Sequence, residues 1–174
     1  MIKVECQDPL LLKSLLSLFE QKKIISSVNP SNYFNLIKVE HSYKSISLNV
    51  DNKQFNFLEP VNLNELIKRI QAHLADHCIS FDHFDYLPYQ RIILRNKKKI
   101  FLTEIQNNIL MILFLNKEGL NKDEVYKLIW PMDKLISINK LDTHLTNLKT
   151  QISSELGVEI SFRSKEKNLK LIIN

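Results

Sequence analysis

The chain has 174 residues, of which 44% are hydrophobic and 25% charged, an ordinary composition for a globular protein with room for one large or two small domains. Two cysteines are too few for a disulfide framework, and no apolar run reaches the length of a membrane span. The first residues lack the pattern of a secretory signal. We therefore expect a protein of the reducing cytoplasm without a membrane partner.

The positive charge lies in the second half of the chain. Up to Asp82 there are 9 basic and 9 acidic residues, whereas from His83 onward 15 basic residues stand against 10 acidic ones. The whole net charge of +5 therefore belongs to the second half, for which we expect a phosphate-rich partner. A lysine-rich solvated surface without a partner is the alternative.

The first half of the chain predicts a small α/β layer. A short alternating strand at 2–6 is followed by Asp8-Pro9, a helix cap and a first-turn proline, ahead of a leucine-rich helix. Asn62 is the predicted N-cap of a second helix over 63–73. Between the two helices, runs of β-branched and aromatic residues bounded by turn residues predict further strands. These runs are 24–28, 34–39, 45–50 and 55–58.

A stretch without periodicity separates the two halves. Residues 77–86 mix aromatic with polar side chains and are interpreted as a linker, between a domain at 1–76 and another at 87–174.

The spacing of the nearby histidines and cysteine matches no common zinc signature. These residues are His73, His77, Cys78 and His83. No catalytic motif or phosphate-cradling glycine loop is recognisable, so we expect neither a metal site, nor a cofactor, nor an enzyme.

The second half contains three amphipathic segments followed by a basic hairpin over 159–173. In the third segment the apolar residues are spaced three and four apart, which predicts a helix with one buried face. They are Ile138, Leu141, Leu145, Leu148 and Ile152. Short polar and cationic side chains occupy the opposite face, as suits a helix in a DNA major groove. The exposed polar face of a helical bundle is the alternative.

This half resembles the effector domain of OmpR/PhoB-type response regulators, which is an α+β winged helix-turn-helix domain. The matching motifs are Leu102-Thr103-Glu104, Gly119, Leu128-Ile129-Trp130, Leu141-Asp142-Thr143-His144-Leu145 and Leu148-Lys149. The chain departs from the family in two places. The basic run of the recognition helix is thinned, and the glycines usual in the hairpin are replaced by Ser164, Lys165, Glu166 and Lys167.

The resemblance implies a recognition helix and a DNA-contacting wing. The residues expected to face bases are Lys140, Thr143, Asn147 and Thr150, and those expected to touch or flank the backbone are Asn139, His144, Thr146 and Lys149. The wing residues expected on phosphates or the minor groove are Arg163, Lys165 and Lys167. A charged hairpin tip that serves solubility is the alternative for the wing. The basic run at 95–99 is explained at least as well by a solvated turn as by DNA contact.

The loop that begins at Trp130-Pro131 can touch RNA polymerase in the same family, so polymerase is a candidate partner. Trp130 itself is expected to cap the core.

The first half resembles a shrunken receiver domain of the same regulators, through 3–19 and 58–74. The receiver's chemistry is missing, because Cys6 and Gln7 stand where metal-binding carboxylates are needed and only Asp8 is retained. Glu59 replaces the lysine that contacts the phosphoryl group, and Glu40 is the acid nearest to the phosphoacceptor position. The resemblance therefore implies a pseudo-receiver that is not phosphorylated on aspartate.

Receivers of this family dimerise through their later helices, so the second helix is the expected two-fold interface. The expected contact residues are Leu66, Ile67, Lys68, Arg69 and Ile70. We also expect apolar surface on the shortened sheet to be buried against a second copy. Packing of the apolar residues on the sheet of their own chain is the alternative.

The sequence thus predicts a pseudo-receiver-like α/β layer followed by a winged helix. The expected function is that of a bacterial transcription regulator that binds double-stranded DNA as a homodimer, independently of phosphorylation. The rival hypothesis is a protein-interaction adaptor whose winged helix no longer binds DNA specifically. The thinned basic residues favour the adaptor, whereas the charge asymmetry favours the regulator.

Overall fold

The computed structural model describes residues 2–21, 26–27, 35–42, 45–50, 53–58, 60, 62–165 and 168–173, with the backbone alone at 26–27, 41–42 and 164–165. The chain divides into two compact units, Met1–Asp76 and His77–Asn174. Both units combine helices with β-sheet, so the fold class is mixed α and β. None of the described helices is long and apolar enough to cross a membrane. Of the residues that the predictions cover, several lie outside the described ones, namely Ile24, Ile25, Val28, Phe34, Glu59, Val61, Glu166 and Lys167.

The first unit is a five-stranded sheet with two helices. Its elements are β1 (Ile2–Cys6), α1 (Pro9–Gln21), β2 (Ser26–Ser27), β3 (Asn35–Ser42), β4 (Ser45–Val50), β5 (Lys53–Leu58) and α2 (Leu63–Ala75). The strand order is β2-β1-β3-β4-β5, in which β1 is parallel to β2 and β3 while β4 is antiparallel to both neighbours. Asp8 caps α1 by accepting hydrogen bonds from two backbone N–H groups, and Asn62 caps α2 in the same way.

The reversal of β4 follows from the short connections on either side of it. The spatial order 2-1-3-4-5 is that of flavodoxin-like sheets, in which parallel strands are joined by crossover helices. A parallel crossover needs about a dozen residues or more, but only residues 43–44 and 51–52 separate β3 from β4 and β4 from β5. Two successive reversals turn β4 around and restore the direction of β5. The layer therefore keeps this strand order without helices at these two crossovers.

One face of this sheet forms the core together with both helices. The buried residues are Ile2, Val4, Ile37, Val39, Ile46, Leu48 and Val50 of the strands, Leu15 and Phe19 of α1, and Leu66, Ile67, Ile70 and Leu74 of α2. This placement corrects the expected dimer contacts, because Leu66, Ile67 and Ile70 are at most 2% exposed and cannot face a second copy. Of the five expected contact residues only Lys68 and Arg69 are exposed.

The opposite face of the sheet is polar, and its side chains bind one another. The Glu5 carboxylate lies 2.7 Å from Lys3 Nζ and 3.6 Å from Lys38 Nζ, so one acid bridges two neighbouring strands. On the antiparallel side, Asn56 Oδ1 accepts hydrogen bonds from Ser47 Oγ at 2.9 Å and Gln54 Nε2 at 3.2 Å. Alternation of apolar and polar residues allows an antiparallel sheet to keep one face in water.

This polar face corrects a second expectation about dimerisation. On the described part of the face the apolar side chains are Leu36, which is half-buried, and Leu58, which is 82% exposed at the end of β5. Two separate leucines do not make the broad apolar surface that a second copy was expected to cover.

The second unit begins with a four-stranded antiparallel sheet in the order β6-β7-β8-β9. Its strands are β6 (Ile79–Ser80), β7 (Asp85–Leu87), β8 (Ile92–Arg95) and β9 (Lys98–Phe101). The interpretation of 77–86 as a linker is wrong, because this stretch contributes two strands and buries Phe84 and Tyr86. Phe81 stacks on Phe114 with 4.6 Å between the ring centroids. The aromatic side chains of the stretch therefore belong to the packed interior of the unit.

Three helices, a short strand and a hairpin complete the second unit. They are α3 (Glu104–Leu115), β10 (Leu120–Asn121), α4 (Lys122–Ile129), α5 (Ile138–Leu156), β11 (Ile160–Lys165) and β12 (Asn168–Ile173). β11 and β12 form an antiparallel hairpin, and β10 pairs with the outer side of β12. Thr103 and Gln106 form a capping box at the start of α3. α5 contacts α3, α4, β9 and β11, so elements from most of the unit position it.

Candidate nucleic-acid interface

The exposed face of α5 carries short polar side chains. The buried face consists of Leu141, Leu145, Leu148, Ile152 and Leu156, and Ile138 at the helix start is half-buried. The opposite face presents Asn139, Thr143, Thr146, Asn147 and Thr150, all of them exposed. The structure therefore places five of the eight residues predicted on this helix on one solvent-facing surface.

Two hydroxyl groups of this face donate their protons within the helix. Thr143 Oγ1 donates to Asn139 O at 2.8 Å, and Thr146 Oγ1 donates to Asp142 O at 2.9 Å. These threonines therefore present methyl groups and oxygen lone pairs outward, whereas the Asn147 amide offers both a donor and an acceptor. Asparagine can pair with two atoms of an adenine edge, and threonine methyls can contact a thymine methyl.

The cations of α5 lie beside this face. Lys149 is exposed. Lys140 was predicted to face bases, but it is turned toward the preceding loop, with its Nζ 2.9 Å from Asp133 Oδ2. Asp142, an acid in the first half of the helix, is paired with Lys122 of α4 at 2.7 Å. The exposed polar face is thus neutral, which corrects the predicted role of Lys140 in the structure as it stands.

Lys140 belongs to a cluster with Tyr126, Trp130 and Asp133, which we call the loop latch. Asp133 Oδ2 accepts a hydrogen bond from the Tyr126 hydroxyl at 2.6 Å as well as from Lys140. Lys140 Nζ also lies 4.3 Å from the centroid of the Trp130 ring, a cation–π distance. The cluster therefore ties the loop at 130–137 to the first turn of α5.

Hydrogen bonding within the loop latch shifts the pKa of Asp133, Lys140 and Tyr126 in the directions that favour these hydrogen bonds. The Tyr126 hydroxyl and then the Lys140 ammonium lower the pKa of Asp133. The hydrogen bond to Asp133 raises the pKa of Lys140 and also that of Tyr126. Near neutral pH the latch therefore contains a carboxylate, an ammonium and a neutral phenol.

Trp130 and His144 pack on each other. Trp130 ends α4, and its ring centroid lies 4.6 Å from that of Tyr126 and 5.6 Å from that of His144. Both Trp130 and His144 are half-buried. His144, predicted to touch or flank the DNA backbone, instead contacts the loop latch through Trp130.

The hairpin places two cations opposite each other. Arg163 of β11 is exposed and is paired in register with Lys170 of β12. Like charges directly opposite on neighbouring strands repel each other, so this pair disfavours the hairpin unless an anion lies nearby. Lys170 Nζ is 3.9 Å from a carboxylate oxygen of the almost fully exposed Glu118. The side chain of Lys165 lies outside the described atoms, as does all of Lys167.

Arg95 fixes the C-terminal end of α5. Its Nη1 donates to Leu156 O at 2.8 Å and to Gly157 O at 2.7 Å, and Gly157 ends the helix in the left-handed conformation with φ 64°. Arg95 precedes a turn in which Asn96 and Lys97 have φ of 48° and 67°, as a tight type I′ hairpin requires. The sequence pattern of the basic run at 95–99 left a solvated turn and DNA contact open and did not indicate this role of Arg95, because the carbonyls it binds are 61 and 62 residues away.

Two glutamines hold the middle of α5 against α3 and β9. Gln151 Nε2 donates to Phe101 O at 3.3 Å, and Gln106 Nε2 donates to Gln151 Oε1 at 3.1 Å. Gln106 Oε1 in turn accepts from Thr103 N at 2.8 Å. Gln106 is 7% exposed, so its amide needs these partners. Gln151 is therefore a structural contact and not part of the exposed polar face.

The structure describes three of the residues that stand at the positions of a receiver's phosphorylation site, namely Cys6, Asp8 and Glu40. The Asp8 carboxylate caps α1, and Cys6 Sγ donates to Asp8 O at 3.5 Å. Burial raises the pKa of the Cys6 thiol. Glu40 lies on β3, exposed and paired in register with Ser47. Among the described residues no three His, Cys, Asp or Glu side chains lie close enough together to hold a metal ion.

Comparison with known proteins gives distant structural likenesses. No family model matches the chain. No curated protein matches it either. The DNA-binding domain of E. coli CadC is 16% identical over 53% of this chain and 88% of its own, with a TM-score of 0.46.

Two further structures are matched along almost the whole chain. A mutant of RitR is 14% identical over 99% of this chain and 65% of its own, with a TM-score of 0.42. A structure described as a novel family of redox sensors in the streptococci, evolved from two-component response regulators, is 15% identical over 99% and 66%, with a TM-score of 0.42. The chain spans about two thirds of the length of these two proteins. At these values the likenesses establish neither a family nor a function.

Proposed function

We propose that the second unit is an OmpR/PhoB-type winged-helix domain that binds double-stranded DNA through α5. The observation that carries the proposal is the solvent-facing row of asparagines and threonines on a helix whose end and middle are fixed by Arg95, Gln106 and Gln151. A rigid helix with amide and methyl groups on one face can read base edges in a major groove. The order of sheet, three helices and hairpin is also that of such a domain.

The charges around α5 support an anionic partner. Lys149 is exposed on the helix, and Arg163 is exposed on the hairpin opposite Lys170. The neutral face of α5 would lie against bases, and these cations against phosphates. This division of roles is the usual one, since phosphate contacts position a protein on DNA and base contacts give it specificity.

The test is a titration against DNA fragments selected by the full-length chain from a random duplex pool. Asn147→Ala should reduce the preference for the selected duplex over a scrambled one by about 1–3 kcal/mol, because it removes a base contact. Lys149→Ala should weaken binding to both duplexes alike. It should also reduce the salt slope, the steepness with which the logarithm of affinity falls against the logarithm of salt concentration, by about 0.9. Lys13→Ala, an exposed residue of α1 in the first unit, makes the same charge change as a control. If wild type and Asn147→Ala prefer the selected duplex over the scrambled one equally, the proposal that α5 recognises the base sequence would be refuted.

We further propose that the chain regulates transcription as a homodimer, without phosphorylation and without enzymatic activity of its own. The buried apolar face of α2 leaves other surfaces of the first unit for self-association. Strand β5 is an edge of the sheet and ends at the exposed Leu58, and Leu10 is 79% exposed at the start of α1. Edge strands are common sites of strand pairing between copies.

The rival function is a protein-interaction adaptor, and one observation favours it. The loop at 130–137 exposes three apolar side chains, with Met132 at 92%, Leu135 at 83% and Ile136 at 41%. Exposed apolar groups so close together are typical of contact sites for proteins. RNA polymerase is a proposed partner for this loop if the chain binds DNA. If the wild type binds no duplex at low salt, the adaptor replaces the regulator.

A further inference from the structure

The loop latch neutralises one of the two lysines of α5. Lys140 and Lys149 are the lysines of this helix, and Lys140 is held by Asp133 at 2.9 Å and by the Trp130 ring at 4.3 Å. It stands in the first turn, directly after Asn139 of the polar face. A lysine in that position is close to whatever the polar face binds, but its charge is balanced from within the protein.

The two sides of the latch differ in how firmly they are held. Tyr126 is 2% exposed, and its hydroxyl binds Asp133 at 2.6 Å, so the carboxylate is anchored to the interior. The side chains of Asp133 and Lys140 are 38% and 40% exposed. A phosphate from solvent can therefore reach the ammonium, and an exposed ion pair of this kind is weak, because water and salt screen both charges. The lysine can leave, whereas the aspartate stays with the tyrosine.

We propose that Asp133 restrains DNA binding by holding Lys140 in the loop latch, and that a DNA phosphate takes over the ammonium when α5 binds. The inference rests on the proposed function and adds a regulatory contact to it. The exchange breaks the Asp133–Lys140 ion pair, forms a Lys140–phosphate ion pair and moves no proton. Since the same lysine fastens the loop at 130–137 to α5, DNA binding loosens that loop. By reciprocity, any state that fixes the latch weakens DNA binding.

The decisive variant is Asp133→Asn, which keeps an oxygen for the Tyr126 hydroxyl and removes the charge. It should bind a mixed-sequence duplex about two- to fivefold more tightly than wild type, because no ion pair has to be broken first. Its salt slope should be steeper by up to roughly 0.9, because salt also weakens the Asp133–Lys140 pair that the wild type must break on binding. The double variant Asp133→Asn, Lys140→Met should lose the gain and match Lys140→Met alone. Glu155→Gln is the matched control, since it removes one exposed acid from the same helix away from the latch. It should change the salt slope little.

The fluorescence of Trp130 provides a second, independent measurement of the same exchange. It is the single tryptophan of the chain, so the tryptophan fluorescence comes from a member of the latch. Asp133→Asn should shift the emission of the free protein, and saturating DNA should shift the wild type in the same direction. Lys140→Met should show no such shift on DNA addition. Should Asp133→Asn fail to fold, Asp133→Ser carries the same expectations.

The outcomes separate this inference from the proposed function. If the wild type binds DNA and Asp133→Asn binds no more tightly and with an unchanged salt slope, the restraint is overturned while DNA binding stands. The restraint is also overturned if Glu155→Gln gains as much as Asp133→Asn, because the effect would then be general charge. If neither wild type nor Asp133→Asn binds any duplex at low salt, the proposed function falls and the restraint with it.

Discussion

Arg95→Ala should destabilise the second unit, because Arg95 supplies two hydrogen bonds to the C-terminal carbonyls of α5. Hydrogen bonds from a charged group contribute about 1.5–3 kcal/mol each at well-shielded sites. Arg95 is half-buried and Gly157 is exposed, so water replaces part of this contribution in the variant. Adding the charge–dipole interaction at the helix end, about 0.3–1 kcal/mol, we expect a net loss of about 1–2 kcal/mol. For a unit of this size that lowers the melting temperature by about 5–10 °C.

Urea unfolding followed by Trp130 fluorescence measures this loss in the intact chain, because the single tryptophan lies in the second unit. Arg95→Lys keeps the charge near the helix end but not the geometry of the guanidinium, so it should recover about half of the stability. Lys98→Ala, an exposed residue of the same hairpin, is the control and should unfold like wild type. Equal midpoints for Arg95→Ala and wild type would refute the claim that this contact positions α5.

Other consequences of the structure can be measured separately. Burial raises the pKa of Tyr86 well above its usual range, so the stability this group contributes is complete below about pH 10 and is lost as pH rises above it. Tyr86→Phe should remove that alkaline loss and, at neutral pH, cost about 1–3 kcal/mol because Asn107 Oδ1 loses its buried donor; an unchanged alkaline profile would contradict this. Incubation with a small phosphodonor and magnesium should leave no acid-labile phosphate on the chain, and stoichiometric phosphorylation would disprove the pseudo-receiver interpretation. Sedimentation of the full chain at micromolar concentration should show a dimer that Leu58→Asp weakens, whereas a monomeric wild type would contradict the proposed assembly.

The buried faces of the second unit could be predicted because helical spacing encodes them. Leu141, Leu145, Leu148 and Ile152 lie three and four residues apart and are all buried, while Ile138 is half-buried because it stands at the helix end. The same spacing in α2 does not distinguish residues that pack in the core of their own chain from residues at an interface with a second copy. A stripe of apolar residues must be buried against something, but the pattern does not say against what.

Short strands and strand direction were beyond the reach of sequence patterns. Strands β6 and β7 have two and three residues, too few for alternation to show, so 77–86 was interpreted as a linker although it packs aromatic side chains. The reversal of β4 depends on the length of its connections rather than on its composition. A count of residues between the predicted strands would have indicated hairpins in place of crossovers.

The sequence predicts the exposed polar face of α5 but not the loop latch. The exposed row of asparagines and threonines follows from helical periodicity, since they stand opposite the buried leucines. The loop latch does not, because Asp133 reaches Lys140 from seven residues earlier across a loop whose geometry no spacing specifies. The link from Gln106 to Gln151 spans 45 residues. Such contacts depend on tertiary packing, and one sequence carries no signal for them.

The salt dependence of DNA binding by the wild-type chain tests the central claim most directly. Affinity for a selected duplex and for its scrambled counterpart should be measured at several salt concentrations. If α5 reads bases while lysines and the hairpin hold phosphates, both affinities fall steeply with salt at a slope of about −0.9 for each phosphate contacted, and the preference for the selected duplex persists. Absence of binding at low salt, or equal binding to both duplexes at every concentration, would contradict the account.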